Sequence, residues 1–322
     1  MRPLRRTGGE AVFTRPFQRA AQGLEARARR QRAGLAGGQR LDVAGAVTIT
    51  ASLMLAVYAI VNGNEAGWTS LQSLGLLGAS AVLLLVFLFI ESHVAAPLVP
   101  LALLRLRNLA ISNVVGVLWA AGMFAWFFLS ALYMQLVLGY DAMQVGLAFL
   151  PSNLIMAGCS LGLSAWVVMR YGIRSTLGWG LVLATVGLAL FALAPVDGQF
   201  VLHVLPGMVL LGVGAGIALN PLLLAAMGDV KPEDSGLASG VVNTAFMMGG
   251  ALGLAVLASL ADARTGALRE AGASAQMALN GGYQLAFWVA AAGSLVAALL
   301  GGLVLRPAQP PGAGAQGALL AV

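Results

Sequence analysis

Eight long apolar runs occupy most of the chain, and short polar segments separate them. Each run lacks Lys, Arg, Asp and Glu; they cover residues 43–61, 71–90, 109–138, 142–169, 175–196, 200–228, 235–261 and 281–305. A helix rising about 1.5 Å per residue needs about 20 apolar residues to cross about 30 Å of hydrocarbon, and the runs reach or approach that length. Helices of soluble proteins keep a polar face, and these runs have none. The pattern predicts an all-α membrane protein with eight transmembrane helices.

The positive charges indicate the orientation of these helices. With a cytoplasmic N-terminus, the inner segments contain ten arginines before residue 41, followed by Arg105, Arg107, Arg170, Arg174, Lys231 and Arg306. Of the 18 cations, only Arg264 and Arg269 then lie outside. Cytoplasmic loops are enriched in Lys and Arg, so we expect both termini to face the cytoplasm of a bacterial inner membrane.

Changes in composition divide the chain into four parts. Residues 1–40 form a basic leader that either lies on anionic lipid or is disordered. Residues 41–107 form a two-helix insert with a cytoplasmic linker that contains Pro97 and Pro100. Residues 108–306 form a six-helix block, and residues 307–322 form a flexible cytoplasmic tail. The block consists of two trios that begin on opposite sides of the membrane, as an inverted three-plus-three repeat requires.

Enzymatic, metal and nucleic-acid functions find little support in the sequence. Gly212, Gly214 and Gly216 lie inside an apolar run with no strand before them, which favours close helix packing over dinucleotide binding. One cysteine, Cys159, and two histidines do not build a metal site. The basic leader has few aromatic side chains on which bases could stack. We therefore predict no enzyme activity, no cofactor, no metal and no nucleic-acid partner.

Neutral polar groups inside the spans are the first candidates for a binding site. They are Asn113, Gln135, Asn153, Asn220, Asn243 and Thr244. In lipid such groups commonly bond between helices, and the alternative places several of them on the wall of a central cavity. The cavity is favoured for Asn220 and Asn243, because Pro221 frees a backbone carbonyl and irregular backbone at that depth is tolerated beside a cavity.

Aromatic and thioether side chains form the second set of candidates. Span three contains Trp119, Phe124, Trp126, Phe127, Phe128 and Tyr133, and span seven contains Phe246, Met247 and Met248. Aromatic faces attract cations and Met adapts to varied ligands, although packing against lipid is the alternative. The predicted substrate-binding set is Asn113, Trp126, Asn153, Asn220, Asn243, Phe246 and Met247.

A motif between spans four and five predicts a cytoplasmic gate. The segment GLSAWVVMRYGIRS places Gly162, Arg170, Gly172 and Arg174 in a G-x7-R-x-G-x-R arrangement. Gly172 permits a tight turn, and the arginines can reach helix C-terminal carbonyls or acidic groups on a neighbouring helix. Simple anchoring of the loop by positive charge is the alternative.

This motif resembles the cytoplasmic loop motif of major facilitator transporters, in the copy of their C-terminal half. Three further stretches resemble the fourteen-helix drug:proton antiporters: LDVAGAVTIT with AVYAIVNG, FLSALYMQLVLGYDAMQVGLAFLP, and KPEDSGLASGVVNTAFMMGGALG. Phe246 and Met247 depart from the family, whose members commonly have an Arg-Gln pair there. The resemblance covers the two-helix insert and the C-terminal half only, and implies efflux of small amphipathic or cationic drugs in exchange for protons.

Two interpretations follow from a match to one half of a transporter. The first is a transporter component that is not competent alone and requires a separate N-terminal half or a homodimer. The second is a truncated membrane remnant or binding scaffold. The acidic residues fit a missing proton site, because Asp42, Glu91, Asp141, Asp197, Asp229, Glu233, Asp234 and Asp262 all fall at span ends or in loops.

Overall fold

The computed structural model describes residues 42–94 and 103–305, apart from the side chain of Glu233. The leader, the prolines of the linker, Arg306 and the C-terminal tail lie outside this described part. Within it, eight α-helices follow one another: α1 Val43–Ala66, α2 Leu71–His93, α3 Arg107–Leu132, α4 Ala142–Gly158, α5 Ser164–Ala192, α6 Leu205–Met227, α7 Ser235–Glu270 and α8 Ala275–Leu299. These helices confirm the predicted all-α fold.

Four π-helical turns extend or join these helices. Tyr133–Val137 follows α3, Cys159–Leu163 joins α4 to α5, Phe200–Val204 precedes α6, and Leu300–Val304 follows α8. Because of the second of these turns, Ala142–Ala192 runs without a loop for 51 residues, and seven stretches of the described chain are long and apolar enough to cross a membrane. A straight helix of that length would measure about 75 Å, more than twice the hydrocarbon thickness.

The long stretch is two crossings, because the chain reverses at Gly172. This glycine has φ 82° and ψ 164°, which no helix contains. Before it, α4 runs parallel to α6, because Gly212 packs on Ser152 and Gly216, one turn later, packs on Met156. After it, the order inverts, since Gly180 packs on Gly214 and Gly187 on Gly207. The eight predicted spans are thus recovered, with the fourth and fifth joined by a one-residue break.

Glycine contacts also reveal the predicted inverted repeat. A Cβ on Gly212 or Gly216 of α6 would come within 2.7 Å of backbone oxygens of α4. At the matching interface between the trios, a Cβ on Gly249 of α7 would lie 2.6 Å from the Cα of Val117 on α3, and Gly253 contacts Ala121 one turn further along. At each interface the two helices run parallel and pack closely, as small residues at membrane helix interfaces allow. The pair of α6 and α4 therefore corresponds to the pair of α3 and α7, as an inverted repeat requires.

The insert forms an antiparallel hairpin that packs beside α7. Ser52 and Ser80 each donate a hydroxyl to the other's carbonyl at 2.8 Å, which joins α1 to α2. At the far end of α1, Asn64 donates to the carbonyl of Ser259 at 2.8 Å and to the carboxylate of Asp262 at 3.0 Å. These bonds place the hairpin on the outside of the six-helix block.

Polar contacts mark the two ends of the bundle. At one end, Asn108 at the start of α3 donates to Asp229 in the α6–α7 loop at 3.1 Å. At the other end, Tyr133 donates to the carbonyl of Pro195 at 2.7 Å, and Asn280 to that of Ala194 at 3.1 Å. The described cations divide between these ends, with Arg105, Arg107, Arg170, Arg174 and Lys231 on the Asn108 side and Arg264 and Arg269 on the other.

Two boundaries differ from the prediction. Helix α7 continues to Glu270, beyond the apolar run that ends at residue 261, because Ala and Leu sustain the helix outside the hydrocarbon. Helix α8 begins at Ala275, six residues before the apolar run that starts at residue 281, and the described part of the linker contains a 3₁₀ turn, Leu103–Arg105.

Candidate functional site

The sequence-predicted binding residues occupy three separate places in the fold. Asn153 is exposed on α4, and Asn243 and Met247 are exposed on α7 beside the partly exposed Phe246. Trp126 is buried in the core beneath them, with 1% of its surface exposed. Asn113 faces the insert hairpin, and Asn220 bonds to the π turn between α4 and α5. The structure therefore separates Asn113 and Asn220 from the other five.

Four phenylalanines form an aromatic strip across three helices. Phe246 of α7 meets Phe124 of α3 edge to face, with ring centroids 6.4 Å apart. One turn further along α3, Phe127 stacks on Phe149 of α4 at 5.5 Å. All four rings are partly exposed, so the aromatic strip presents π faces on the surface of the six-helix block.

Buried tryptophans support the aromatic strip from behind. Trp119 contacts Phe246 edge to face at 5.6 Å, and Trp126 contacts Phe149 at 5.9 Å. The indole N–H of Trp126 is buried without an acceptor in the described part. These contacts hold the rings in place, while Asn243 and Met247 beside Phe246, and Asn153 one turn from Phe149, add polar and thioether groups to the same surface.

The proline of α6 and the π turn of α4 satisfy each other's free backbone groups. Pro221 has no N–H, so the carbonyl of Ile217 lacks its helical partner, and Ser164 donates its hydroxyl to that carbonyl at 3.1 Å. In the other direction, Asn220 donates its amide to the carbonyl of Ser160 at 2.8 Å. The amide of Asn220 thus takes part in helix packing, and its predicted role in substrate binding stays a prediction.

One arginine of the gate motif reaches helix carbonyls as expected from the sequence. Arg174 donates from Nε to the carbonyl of Gly302 and from Nη2 to that of Leu303, both at 3.0 Å. These carbonyls belong to the π turn that follows α8. Arg170 is exposed and lies 5.8 Å from the ring centroid of Tyr171, and Gly162 is exposed in the π turn before α5. Arg174 therefore forms the latch, and Arg170 remains at the loop surface.

Sequence reasoning missed three contributors to these sites. Phe149 was overlooked, although it precedes Asn153 by one helical turn and so shares its face. Ser160 and Ser164 were overlooked because Ser inside an apolar run commonly bonds to its own helix. The proline at 221 was the available signal, since a freed carbonyl in lipid requires a donor from a neighbouring helix.

Fold and site together define a multi-pass membrane protein made of a six-helix half-bundle and a docked two-helix hairpin. A family model described as the Major Facilitator Superfamily matches residues 35–254. The chain belongs to the Major Facilitator Superfamily, which confirms the resemblance found in its motifs. Because this is a family of transporters, the prediction that the chain is not an enzyme is confirmed as well.

Relatives of the chain are bacterial export and resistance proteins. The cephamycin export protein CmcT of Amycolatopsis lactamdurans is 35% identical over 71% of this chain and 47% of its own length. The puromycin resistance protein pur8 of Streptomyces alboniger is 33% identical over 81% and 53%. The multidrug resistance protein Stp of Mycobacterium tuberculosis is 30% identical over 72% and 43%. The chain thus spans about half the length of these relatives.

Proposed function

We propose that the chain forms the two-helix insert and C-terminal half of a proton-coupled multidrug efflux transporter. The aromatic strip on the surface of the half-bundle carries this proposal. The relatives of the chain are named for export of, or resistance to, antibiotics and drugs, and they are about twice as long as the matched region. The substrate is a small amphipathic or cationic drug, which binds between this surface and a second half.

The chemistry of the aromatic strip suits such substrates. A cation over a phenyl ring gains about 0.5–2 kcal/mol, the larger value where water is excluded. The strip becomes desolvated only when another six-helix body covers it. Asn153 and Asn243 then supply neutral hydrogen-bonding groups beside the rings, which orient a ligand without a fixed charge.

The location of the acidic groups supports a division of labour between two halves. In the described part, every carboxylate with a placed side chain lies in a loop, at a helix cap or near a helix end; Asp262, for example, bonds to Asn64 near the end of α1. Proton coupling requires a group that titrates within the membrane. The proton site therefore belongs to a separately made N-terminal half, because a second copy of this chain would carry the same carboxylates at the same places.

The protein resides in the bacterial inner membrane with its arginine-rich end in the cytoplasm. That end carries the five cations Arg105, Arg107, Arg170, Arg174 and Lys231, and the other end carries two, Arg264 and Arg269. Cytoplasmic loops attract such an excess of cations. Arg174 and its latch to the end of α8 then lie at the cytoplasmic mouth of the transporter, where they hold α5 and α8 together.

Transport by reconstituted vesicles tests the proposal. The chain is placed in proteoliposomes alone, or together with a co-expressed N-terminal half, and uptake of tetraphenylphosphonium is followed under an imposed pH gradient. We expect gradient-driven uptake only when the N-terminal half is present. Gradient-driven uptake by the chain without the N-terminal half would contradict the proposal, and so would the absence of uptake in both arrangements.

A further inference from the structure

A deep apolar space separates the insert hairpin from the six-helix block. It consists of two adjoining cavities of about 500 and 530 Å³, which share Ile49, Ala245 and Met248. Ligand sites in proteins commonly measure about 300–1,000 Å³. The first cavity extends toward α8 and is lined by aliphatic groups, and the second extends toward the end that carries Arg105 and Arg107. We call the two together the insert cavity.

The lining of the insert cavity includes three polar side chains, Thr50, Thr244 and Asn113, and Asn113 has a buried atom whose bonding capacity is unused. Asn113 lines the second cavity and is 9% exposed. Its amide N–H donates to the carbonyl of Leu109 at 2.9 Å, which fixes the side-chain orientation and leaves Oδ1 as the free atom. That oxygen is buried and has no donor in the described part. An unpaired buried acceptor is destabilising, so the site favours a ligand that brings a hydrogen-bond donor.

A second unused acceptor lies at the same end of the insert cavity. Asp42 caps α1 by accepting from the N–H of Gly45 at 2.8 Å, and it is 8% exposed. Its other carboxylate oxygen is buried without a donor in the described part. One helical turn further along α1, Ala46 lines the second cavity. The residues that line the insert cavity are uncharged, and the Asp42 carboxylate shares its end of the bundle with Arg105 and Arg107.

These features select one chemical class of ligand. The apolar walls accept an alkyl chain or aromatic body, and Asn113 accepts a hydrogen bond, which is stronger when the donor carries a positive charge. A diacyl phospholipid offers no donor at the depth of its glycerol esters, and would leave Asn113 unpaired. A quaternary ammonium has the charge and lacks the donor. A protonated amine attached to an apolar body has both.

We propose that the insert cavity is a binding site for lipophilic protonated amines that enter from the bilayer, with Asn113 Oδ1 accepting their N–H. The insert hairpin supplies one wall of this site, through Ala46, Ile49 and Phe87. The site lies away from the aromatic strip, whose residues do not line it, and binding there requires neither transport nor a second half.

A matched pair of probes tests the proposal on the purified chain in phosphatidylcholine nanodiscs. Dodecyldimethylamine, protonated at neutral pH, carries one N–H, and dodecyltrimethylammonium carries a methyl group in its place. We expect the amine to bind about tenfold more tightly, as one charge-assisted hydrogen bond allows. Asn113→Leu should abolish this preference, and Asn113→Asp should retain it.

Cavity filling provides a second, independent arm. A Cβ at Gly240, which lines the insert cavity, would meet nothing within 4 Å, so Gly240→Leu is suited to fill the space. It should weaken both probes about tenfold, while Gly78→Leu, at an equally open glycine on the other side of the hairpin, should weaken neither. Equal binding of both probes by the natural chain would overturn the proposal. A preference that survives Asn113→Leu, or a phospholipid that co-purifies and excludes both probes, would overturn it too.

Discussion

Ser164 donates its hydroxyl to the carbonyl of Ile217, which Pro221 deprives of its partner in the helix. The bond joins the π-helical junction of α4 and α5 to the turn of α6 that contains the proline. Two irregular segments at membrane depth thereby satisfy each other, and neither has to expose a backbone group to lipid.

This relationship predicts a coupling between Ser164 and Pro221. Ser164→Ala should destabilise the natural chain by about 1 kcal/mol, since it leaves a buried carbonyl unpaired. In a Pro221→Ala background the same change should cost little, because the introduced alanine supplies the missing N–H. A double-mutant cycle of unfolding in mixed micelles measures the coupling, expected at about 0.5–1 kcal/mol. Equal costs in the two backgrounds would argue against a shared carbonyl.

Replacing Asn220 should lower the stability of the protein, whereas replacing an exposed asparagine should not. Its amide bonds to the carbonyl of Ser160 at 2.8 Å, so Asn220→Leu should lower the free energy of unfolding by about 1 kcal/mol. Asn153 is exposed on α4, and its side chain makes no hydrogen bond within the described part of the chain. Asn153→Leu is therefore the matched control, with an expected change near zero. The thermal midpoint in detergent reports both, and similar losses would refute the assignment.

Helix order and chain reversal could be predicted from the sequence, whereas the direction in which each side chain faces could not. The charge-free runs and Gly172 between two arginines were sufficient to place all eight spans. The rotation of each helix about its axis follows from a polar face in soluble proteins, but these helices are apolar all around. Asn113 was accordingly grouped with Asn243, although one faces the insert cavity and the other an exposed surface.

The π turns and close glycine contacts also escaped the sequence. A π turn adds one residue to a helix and hardly changes the spacing of apolar residues that sequence analysis detects. Its position at Cys159–Leu163 depends on the donor that Asn220 provides from another helix. By contrast, the glycines at 212, 214 and 216 were expected to allow close packing, and the structure confirms this. Their partners, on α4 and α5, follow only from the assembled bundle.

Close packing at Gly214 predicts opposite outcomes for two glycine-to-alanine changes. A Cβ at Gly214 would lie 2.6 Å from the carbonyl oxygen of Gly180 and 2.8 Å from the nitrogen of Ala184, and neither backbone can move independently. Gly214→Ala should cost about 1–3 kcal/mol by forcing α6 away from α5. At Gly146 of α4 a Cβ meets nothing within 4 Å, so Gly146→Ala should gain up to about 1 kcal/mol from helix propensity. Thermal unfolding distinguishes the two signs, and a stabilising Gly214→Ala would contradict the packing.

The gate motif predicts unequal roles for its two arginines. Arg174 makes two charge-assisted bonds to the carbonyls of Gly302 and Leu303, whereas Arg170 lies exposed over Tyr171. Arg174→Gln should loosen the end of α8, because the carbonyls there lose their donors. Arg170→Gln should leave it unchanged. Hydrogen exchange of the peptide around residues 300–305 measures this, and we expect faster exchange for Arg174→Gln alone. Equal exchange in both variants would mean that the positive charge of the loop, and not the bonds of Arg174, holds the end of α8.

The aromatic strip predicts which phenylalanines bind a lipophilic cation. Phe246 and Phe124 meet on the surface that a second half would cover, and Phe89 of α2 is 66% exposed on the insert hairpin, away from the aromatic strip. In the transporter completed by a second half, Phe246→Leu should weaken binding of tetraphenylphosphonium severalfold, which corresponds to about 0.5–2 kcal/mol of cation–π attraction. Phe89→Leu makes the same substitution outside the surface that the second half would cover, and it should have no effect. Displacement of the radiolabelled cation measures both. Undiminished binding by Phe246→Leu would remove the aromatic strip from the substrate site, even if transport by the complete assembly were demonstrated.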